Sequence, residues 1–334
     1  MKKQQLIFWA GILILTPLII NFTLLSSLSI PSWTTFTIKS SPLHSTYVAD
    51  TYNIKIAVPN DYNETMKYLY PTIYLLDAAY HFDGTHPDLG GDVGPGGVVE
   101  IIEELILKDY LPSSILVGID YDGNVDNQRY RDFRNNRSPF YNFVKHELLP
   151  FIDQHYRTDT TDRTLLGHSL GGTFTTYCLF QYNHGSSLFK RYVSLTGNYR
   201  TDVFDVLSAE SAMYERIGTN LSVNLSVFLA VGGQDDPLFV SGYHNLTTKL
   251  KSRNYQNFRF NGTFYGDLGH GSVVRPGFTD GLQWVFSDKA VESELSKSVN
   301  TTVFTDYGIS TLLIVVFVVR KYKSSFFATK KNFD

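Results

Sequence analysis

A chain of 334 residues with a formal net charge of −3 has room for one large domain plus segments at either end. No basic stripe breaks that balance, which excludes a nucleic-acid surface and leaves a small molecule as the expected partner. The single cysteine, Cys178, excludes an internal disulfide, and its apolar neighbours predict a buried, inert thiol.

In chain order, Lys2 and Lys3 precede an apolar stretch over residues 6–20. This fits a signal peptide or signal anchor within residues 1–30. A helix is predicted over 98–106. The β-prone run 163–166 leads into a turn and then a helix over 173–180. Residues 227–231 read as a buried parallel strand. A helix-like stretch spans 242–253, and strand-like pieces follow at 257–260 and 263–265. Strands alternating with helices predict an α/β domain over residues 31–290, with a mostly parallel central sheet covered by helices on both faces. No internal repeat stands out.

Beyond a linker at 291–306, residues 307–319 are uncharged and largely apolar, and Arg320, Lys321 and Lys323 follow in the tail 320–334. Thirteen helical residues rise only about 20 Å against a hydrocarbon core of about 30 Å. Snorkelling bases narrow that gap, and a membrane anchor is expected here. Eight Asn-x-Ser/Thr sequons occur, at Asn21, Asn63, Asn136, Asn220, Asn224, Asn245, Asn261 and Asn300. They point to the secretory pathway, with the domain lumenal or extracellular, or secreted outright.

The most informative local pattern is Gly167-His168-Ser169-Leu170-Gly171-Gly172. A strand, Gly-x-Ser-x-Gly and a helix, in that order, describe a nucleophile elbow. Such a turn strains the serine backbone and exposes its hydroxyl at a helix N-terminus, where developing negative charge is favoured. A serine needs a base, and the base needs an orienting acid, in the chain order Ser, Asp or Glu, His. The strand 227–231 runs into Gly232-Gly233-Gln234-Asp235-Asp236-Pro237. Either Asp235 or Asp236 can supply the acid, and the other is expected to cap the turn. Of the histidines after the serine, His184 lies too near the elbow helix and His244 within the helix after the acid turn. His270, in a Gly-bracketed loop after the last strand, is the expected base. His168 reads as a packing or hydrogen-bonding residue. His81, His86, Asp83 and Asp88 match no zinc or calcium spacing and read as a solvated rim loop. No metal or organic cofactor is called for.

These motifs resemble the esterase group of α/β-hydrolases that includes esterase D (S-formylglutathione hydrolase) and the enterochelin esterases. The resemblance runs from about residue 35 to 286. It includes 35–40, an early strand at 52–59, a third strand at 71–77 and a fourth at 115–120. Arg129-Tyr130-Arg131-Asp132-Phe133 resembles the group's Arg-Asp-Phe signature, and Gly269-His270-Gly271-Ser272-Val273 its histidine loop. The resemblance implies an α/β-hydrolase fold and an oxyanion hole built from the N–H of Leu170 with that of Ala78 or Ala79. Ala78 and Ala79 stand where the group often has glycine, and their small side chains still allow close backbone approach.

The reading is a serine hydrolase of carboxylic esters or thioesters that works through an acyl-enzyme. An acyltransferase using the same intermediate, and an idle hydrolase scaffold serving as a membrane-tethered binding protein, are the alternatives. Loops at 78–97, 121–140 and 199–218 are expected to line the substrate pocket, with some of the abundant Phe and Tyr. Oligomeric state is not written in the sequence.

Overall fold

The computed structural model describes residues 36–288, apart from 66, 85–92 and 122–124. The strands are β1 (Thr37–Ser45), β2 (Asp50–Val58), β3 (Tyr70–Leu75), β4 (Ile115–Tyr121), β5 (Thr158–His168), β6 (Arg191–Leu195), β7 (Asn220–Gly232) and β8 (Gln256–Tyr265). They form one sheet in the order β1-β2-β4-β3-β5-β6-β7-β8. The β1–β2 and β2–β4 pairs are antiparallel and the rest are parallel. Strands β3, β4 and β6 are buried at every position, as central strands covered on both faces must be. Edge strand β1 is mostly exposed and carries Lys39 and Pro42, residues that discourage further pairing.

The helices are α1 (Ala78–His81), α2 (Gly97–Leu107), α3 (Val125–Tyr130), α4 (Arg137–Phe143), α5 (Leu149–His155), α6 (Leu170–Phe180), α7 (Val206–Ile217), α8 (Pro237–Arg253) and α9 (Val274–Val285). They divide over the two faces of the sheet. One face buries Phe133, Phe140, Phe143, Phe174 and Phe180. The other buries Phe82 together with Val98, Ile101 and Leu105 of α2 and Phe278 and Leu282 of α9. The aromatic surplus is therefore largely core: Phe140 stacks edge-on against Phe174 at 4.9 Å, and Tyr52 lies 4.4 Å from Phe143. Cys178 is buried in the same layer, and burial pushes its thiol well up.

Three elements depart from the expectations. Much of 121–140, read as a loop, is helical: α3 continues into a π-helical turn, Arg131–Asn135, before α4. Its sequence has no apolar period; Phe133 and Phe140 anchor it in the core, and polar contacts add to that hold. The Tyr52 hydroxyl donates to Asp132 Oδ2 at 2.7 Å, while Arg131 reaches both Asp132 and Asp50 on β2. The stretch 199–218, also read as a loop, contains α7, capped by Asp205, which accepts from the Ser208 N–H at 3.0 Å. A fully buried carboxylate anchors it: Glu210 accepts from Arg253 at 2.9 Å and from the Tyr255 hydroxyl at 2.7 Å. Strand β6 begins at Arg191, whose guanidinium is fully buried. It pairs with Asp162, donates through Nε to the Val285 carbonyl at 2.9 Å and lies 4.1 Å from the Phe286 ring.

The expected membrane association is corrected. Among the described residues no helix is long and apolar enough to cross a membrane. The segments on which that expectation rested, 1–30 and 307–319, lie outside the described residues, as do the linker 291–306 and the tail 320–334.

Candidate active site

The carboxyl ends of β3, β5, β6, β7 and β8 deliver the notable side chains to one rim of the sheet, where open α/β sheets hold their ligands. Ser169 follows β5 at φ 58°, ψ −120°, a left-handed conformation costly for a residue with a Cβ. The neighbouring glycines make the turn possible. A Cβ on Gly167 would lie 2.3 Å from the Gly171 carbonyl oxygen, and one on Gly172 would lie 2.7 Å from that of Leu195. The Ser169 N–H is fixed to the Leu195 carbonyl of β6 at 2.9 Å. Buried Thr173, one turn into α6, donates to the Ser169 carbonyl at 3.1 Å and accepts from the Asn198 N–H at 2.8 Å. It ties the elbow to the turn after β6. Sequence reasoning passed over Thr173, because a threonine in a helix carries no local signal of such a bridge.

The histidine and the two acids are separated cleanly. His270 Nδ1 lies 2.8 Å from Asp235 Oδ2, whose side chain is almost wholly buried. Asp236 instead accepts from the Leu238 N–H at 2.8 Å as the N-cap of α8, with Pro237 in the first turn, the position where proline's missing donor costs nothing. Backbone bonds stitch the two loops together: Gly233 N–H to Tyr265 O at 2.7 Å, and Gln234 N–H to Leu268 O at 2.9 Å.

His168 joins this loop to the elbow. Its Nε2 is 2.9 Å from the carbonyl oxygen of His270, so that nitrogen carries the proton and donates. The two rings lie 4.7 Å apart. Behind His168, 5.4 Å away, stands buried His81. Burial holds His81 down to about 4, and burial with the nearby His81 and His270 holds His168 well below its ordinary value. Both rings are therefore neutral at pH 7.

Ala78 and Ala79 begin α1, directly after Asp77 in the left-handed region at φ 57°, ψ 46°. The N–H groups of Tyr80 and His81 return to the Asp77 carbonyl. Those of Ala78, Ala79 and Leu170 stand in first turns, where no intrahelical acceptor exists. Asp77 is fully buried and takes a fork from Arg129, Nε to Oδ1 at 2.9 Å and Nη2 to Oδ2 at 3.0 Å. The same carboxylate touches the elbow, since a Cβ on Gly171 would meet Asp77 Oδ2 at 2.9 Å. One ion pair thus braces the turn of Ala78 and the start of α6 together. Arg129 lies inside the Arg-Asp-Phe stretch, the one signal that could have found it.

Ser169 and Leu170 open into a cavity of about 340 Å³ that Arg129, Arg134, Arg200, Asp202 and Phe239 also line. The lining is more polar than the aromatic composition led one to expect. Among the described residues no group of His, Cys, Asp and Glu is arranged to hold a metal. Asp83 pairs with Lys55 at 3.9 Å, and His86 and Asp88 lie outside the described residues.

A left-handed serine elbow on a mostly parallel sheet, with a histidine–aspartate pair on the neighbouring rim, defines an α/β-hydrolase. Residues 45–204, just under half of the chain, match the family described as "Putative esterase", and the chain belongs to the esterase/α/β-hydrolase superfamily. Its fold is similar to that of the IroE-like serine hydrolase from Shewanella oneidensis, with a TM-score of 0.61, 22% identity, and 75% of this chain and 81% of that one covered. It is likewise similar to the BES protein from Bacillus cereus, with a TM-score of 0.61, 25% identity, and 76% and 95% covered. Among curated sequences, the uncharacterized protein YjcH of Bacillus subtilis is 33% identical over 90 residues, 26% of this chain. The matches span 38% of YjcH and 50% of a second Bacillus subtilis protein, YbbA.

Proposed function

We propose that the chain is a serine esterase that cleaves a carboxylic ester or thioester. Ser169 attacks the carbonyl carbon, and His270 accepts the hydroxyl proton and returns it to the leaving group. Asp235 fixes the imidazole tautomer through Nδ1 and favours the imidazolium that forms. The N–H of Leu170, with that of Ala78 or Ala79, receives the oxyanion. Water, activated by the same histidine, then releases the acid from the acyl-enzyme.

The observation that carries this reading is the 2.8 Å His270–Asp235 pair, docked through the His270 carbonyl onto the residue that precedes Ser169. Proteins of similar fold include an IroE-like serine hydrolase and a siderophore hydrolase from Aspergillus nidulans, which is in keeping with it. Ser169→Ala should fold normally yet lose turnover of small aryl esters and labelling by a fluorophosphonate probe. Undiminished turnover in the pure variant overturns the assignment. Adding a competing alcohol and analysing products separates hydrolysis from acyl transfer.

Passage through the secretory pathway is part of the same proposal. Of the sequon asparagines within the described residues, Asn63, Asn136, Asn220, Asn224 and Asn245 are exposed and Asn261 is half-buried. A mobility shift on enzymatic deglycosylation of the native protein tests it, and an unchanged mass refutes it.

A further inference from the structure

We propose that the preferred substrates are small esters bearing a carboxylate, held by Arg134 and Arg200 on the wall of the cavity that contains Ser169. This inference rests on the serine-esterase reading and narrows its substrate class.

Three guanidiniums line that cavity, and Asp202 is the one carboxylate among its described lining residues. Arg129 is committed to buried Asp77 through both arms of its fork. Arg134 and Arg200 share what remains. Arg200 reaches Asp202 through Nε at 3.0 Å and Nη2 at 3.5 Å, and Arg134 reaches the same carboxylate at 3.5 Å. Among the described residues Arg134 has no other partner. A contact of that length lies at the weak end of hydrogen bonding and leaves most of the five guanidinium donors to solvent. Two forks on one half-exposed carboxylate carry a surplus positive charge. Asp202 itself displays the group their geometry accepts: a planar anion met side-on, the recognition for which arginine is suited.

The loop that presents them is held in place, so the site is organised before a ligand arrives. Arg137 donates to the Val203 carbonyl at 2.8 Å and stacks on Phe204 at 5.0 Å. Asn198, tied to Thr173 of the elbow helix, accepts from the Arg200 N–H at 3.3 Å. The arginine wall is therefore fixed in register with the nucleophile. Apolar contact in the cavity comes from Leu170, Val203 and Phe239, enough for a short carbon skeleton. At about 340 Å³ the space lies near the lower limit for ligand sites, a size suited to a small ester.

The test uses the purified full chain and two matched pairs of esters. On the acyl side, mono-4-nitrophenyl adipate is compared with 4-nitrophenyl hexanoate; on the alcohol side, 4-acetoxybenzoate with its methyl ester. At about 20 mM salt the anionic member of at least one pair should have kcat/KM about fivefold or more above its neutral partner, mainly through KM. That ratio should shrink at about 0.5 M salt. Arg134→Gln and Arg200→Gln should each reduce it, whereas Asp202→Asn, which removes the internal competitor, should raise it. Ratios below about fivefold in both pairs, or a ratio that both arginine variants leave unmoved, overturn the proposal. Failure of the esterase reading looks different: none of the four esters turns over, and the fluorophosphonate leaves Ser169 unlabelled.

Discussion

Acid should loosen the floor of the site through His81. This ring is buried at 4% exposure, its Nδ1 has no hydrogen-bond partner, and it packs against His168 and Phe278 at 5.4 and 6.0 Å. Burial holds it down to about 4, with the charge of Asp77 opposing only in part. In the unfolded chain it titrates near 6.5. Between those two values the unfolded state binds a proton that the folded state refuses. Stability is therefore fully present above about pH 6.5 and falls as pH drops towards 4. The gap is worth about 3 kcal/mol, a large share of the stability of an ordinary domain. Urea unfolding followed by circular dichroism, repeated across this range for the native chain and His81→Phe, isolates the effect. The native chain should lose about 3 kcal/mol more than the variant, with His168 adding a fall common to both. Parallel curves would refute the reasoning. Because His168 spans from His81 to the His270 carbonyl, activity should also fall ahead of global unfolding.

Asp235→Asn should lower kcat by about 10³–10⁴-fold by disturbing the tautomer of His270, whereas Asp236→Asn, which keeps a good cap, should cost little; equal losses would contradict the division of roles. Asp77→Ala leaves the Arg129 guanidinium buried without its partner and should cost about 3–5 kcal/mol of stability, read by denaturant titration, and a loss under about 1 kcal/mol would mean the pair is not the brace described. His168→Phe keeps the ring but removes the donor to His270, so kcat should drop while KM for a neutral ester changes little; a shift confined to KM speaks against a positioning role. The Cys178 thiol should resist alkylation in the folded protein and react once the chain is denatured, as mass spectrometry would show.

The α/β-hydrolase fold was legible because its central strands are long apolar runs and the elbow motif is local. What escaped depends on partners far along the chain. Strand β6 opens with Arg191, and no local rule reveals that Asp162 and the Val285 carbonyl will neutralise it. Helix α7 hides its carboxylate Glu210 under Arg253 and Tyr255, more than forty residues on. The choice between Asp235 and Asp236 hinged on how the turn rotates into α8, since Pro237 makes its predecessor the cap. Thr173 went unremarked, and Arg129 was noted only as part of the Arg-Asp-Phe stretch with no role of its own, because their work is to hold backbone, through the carbonyl of Ser169 and through Asp77.

The buried guanidinium of Arg191 also sets where the domain can be cut. Its Nε bond to Val285, its stacking on Phe286 and its 3.6 Å approach to Asp288 all come from the last described turn. Any shortened version that stops before residue 288 would lose the Asp288 carboxylate, and truncation at Trp284 would also remove the Val285 acceptor and the Phe286 ring, leaving the guanidinium its Asp162 pair without this second side of its cage. Expression trials on fragments should therefore place their C-terminal stop beyond this latch, and a sharp drop in soluble yield is expected as the stop moves back across it.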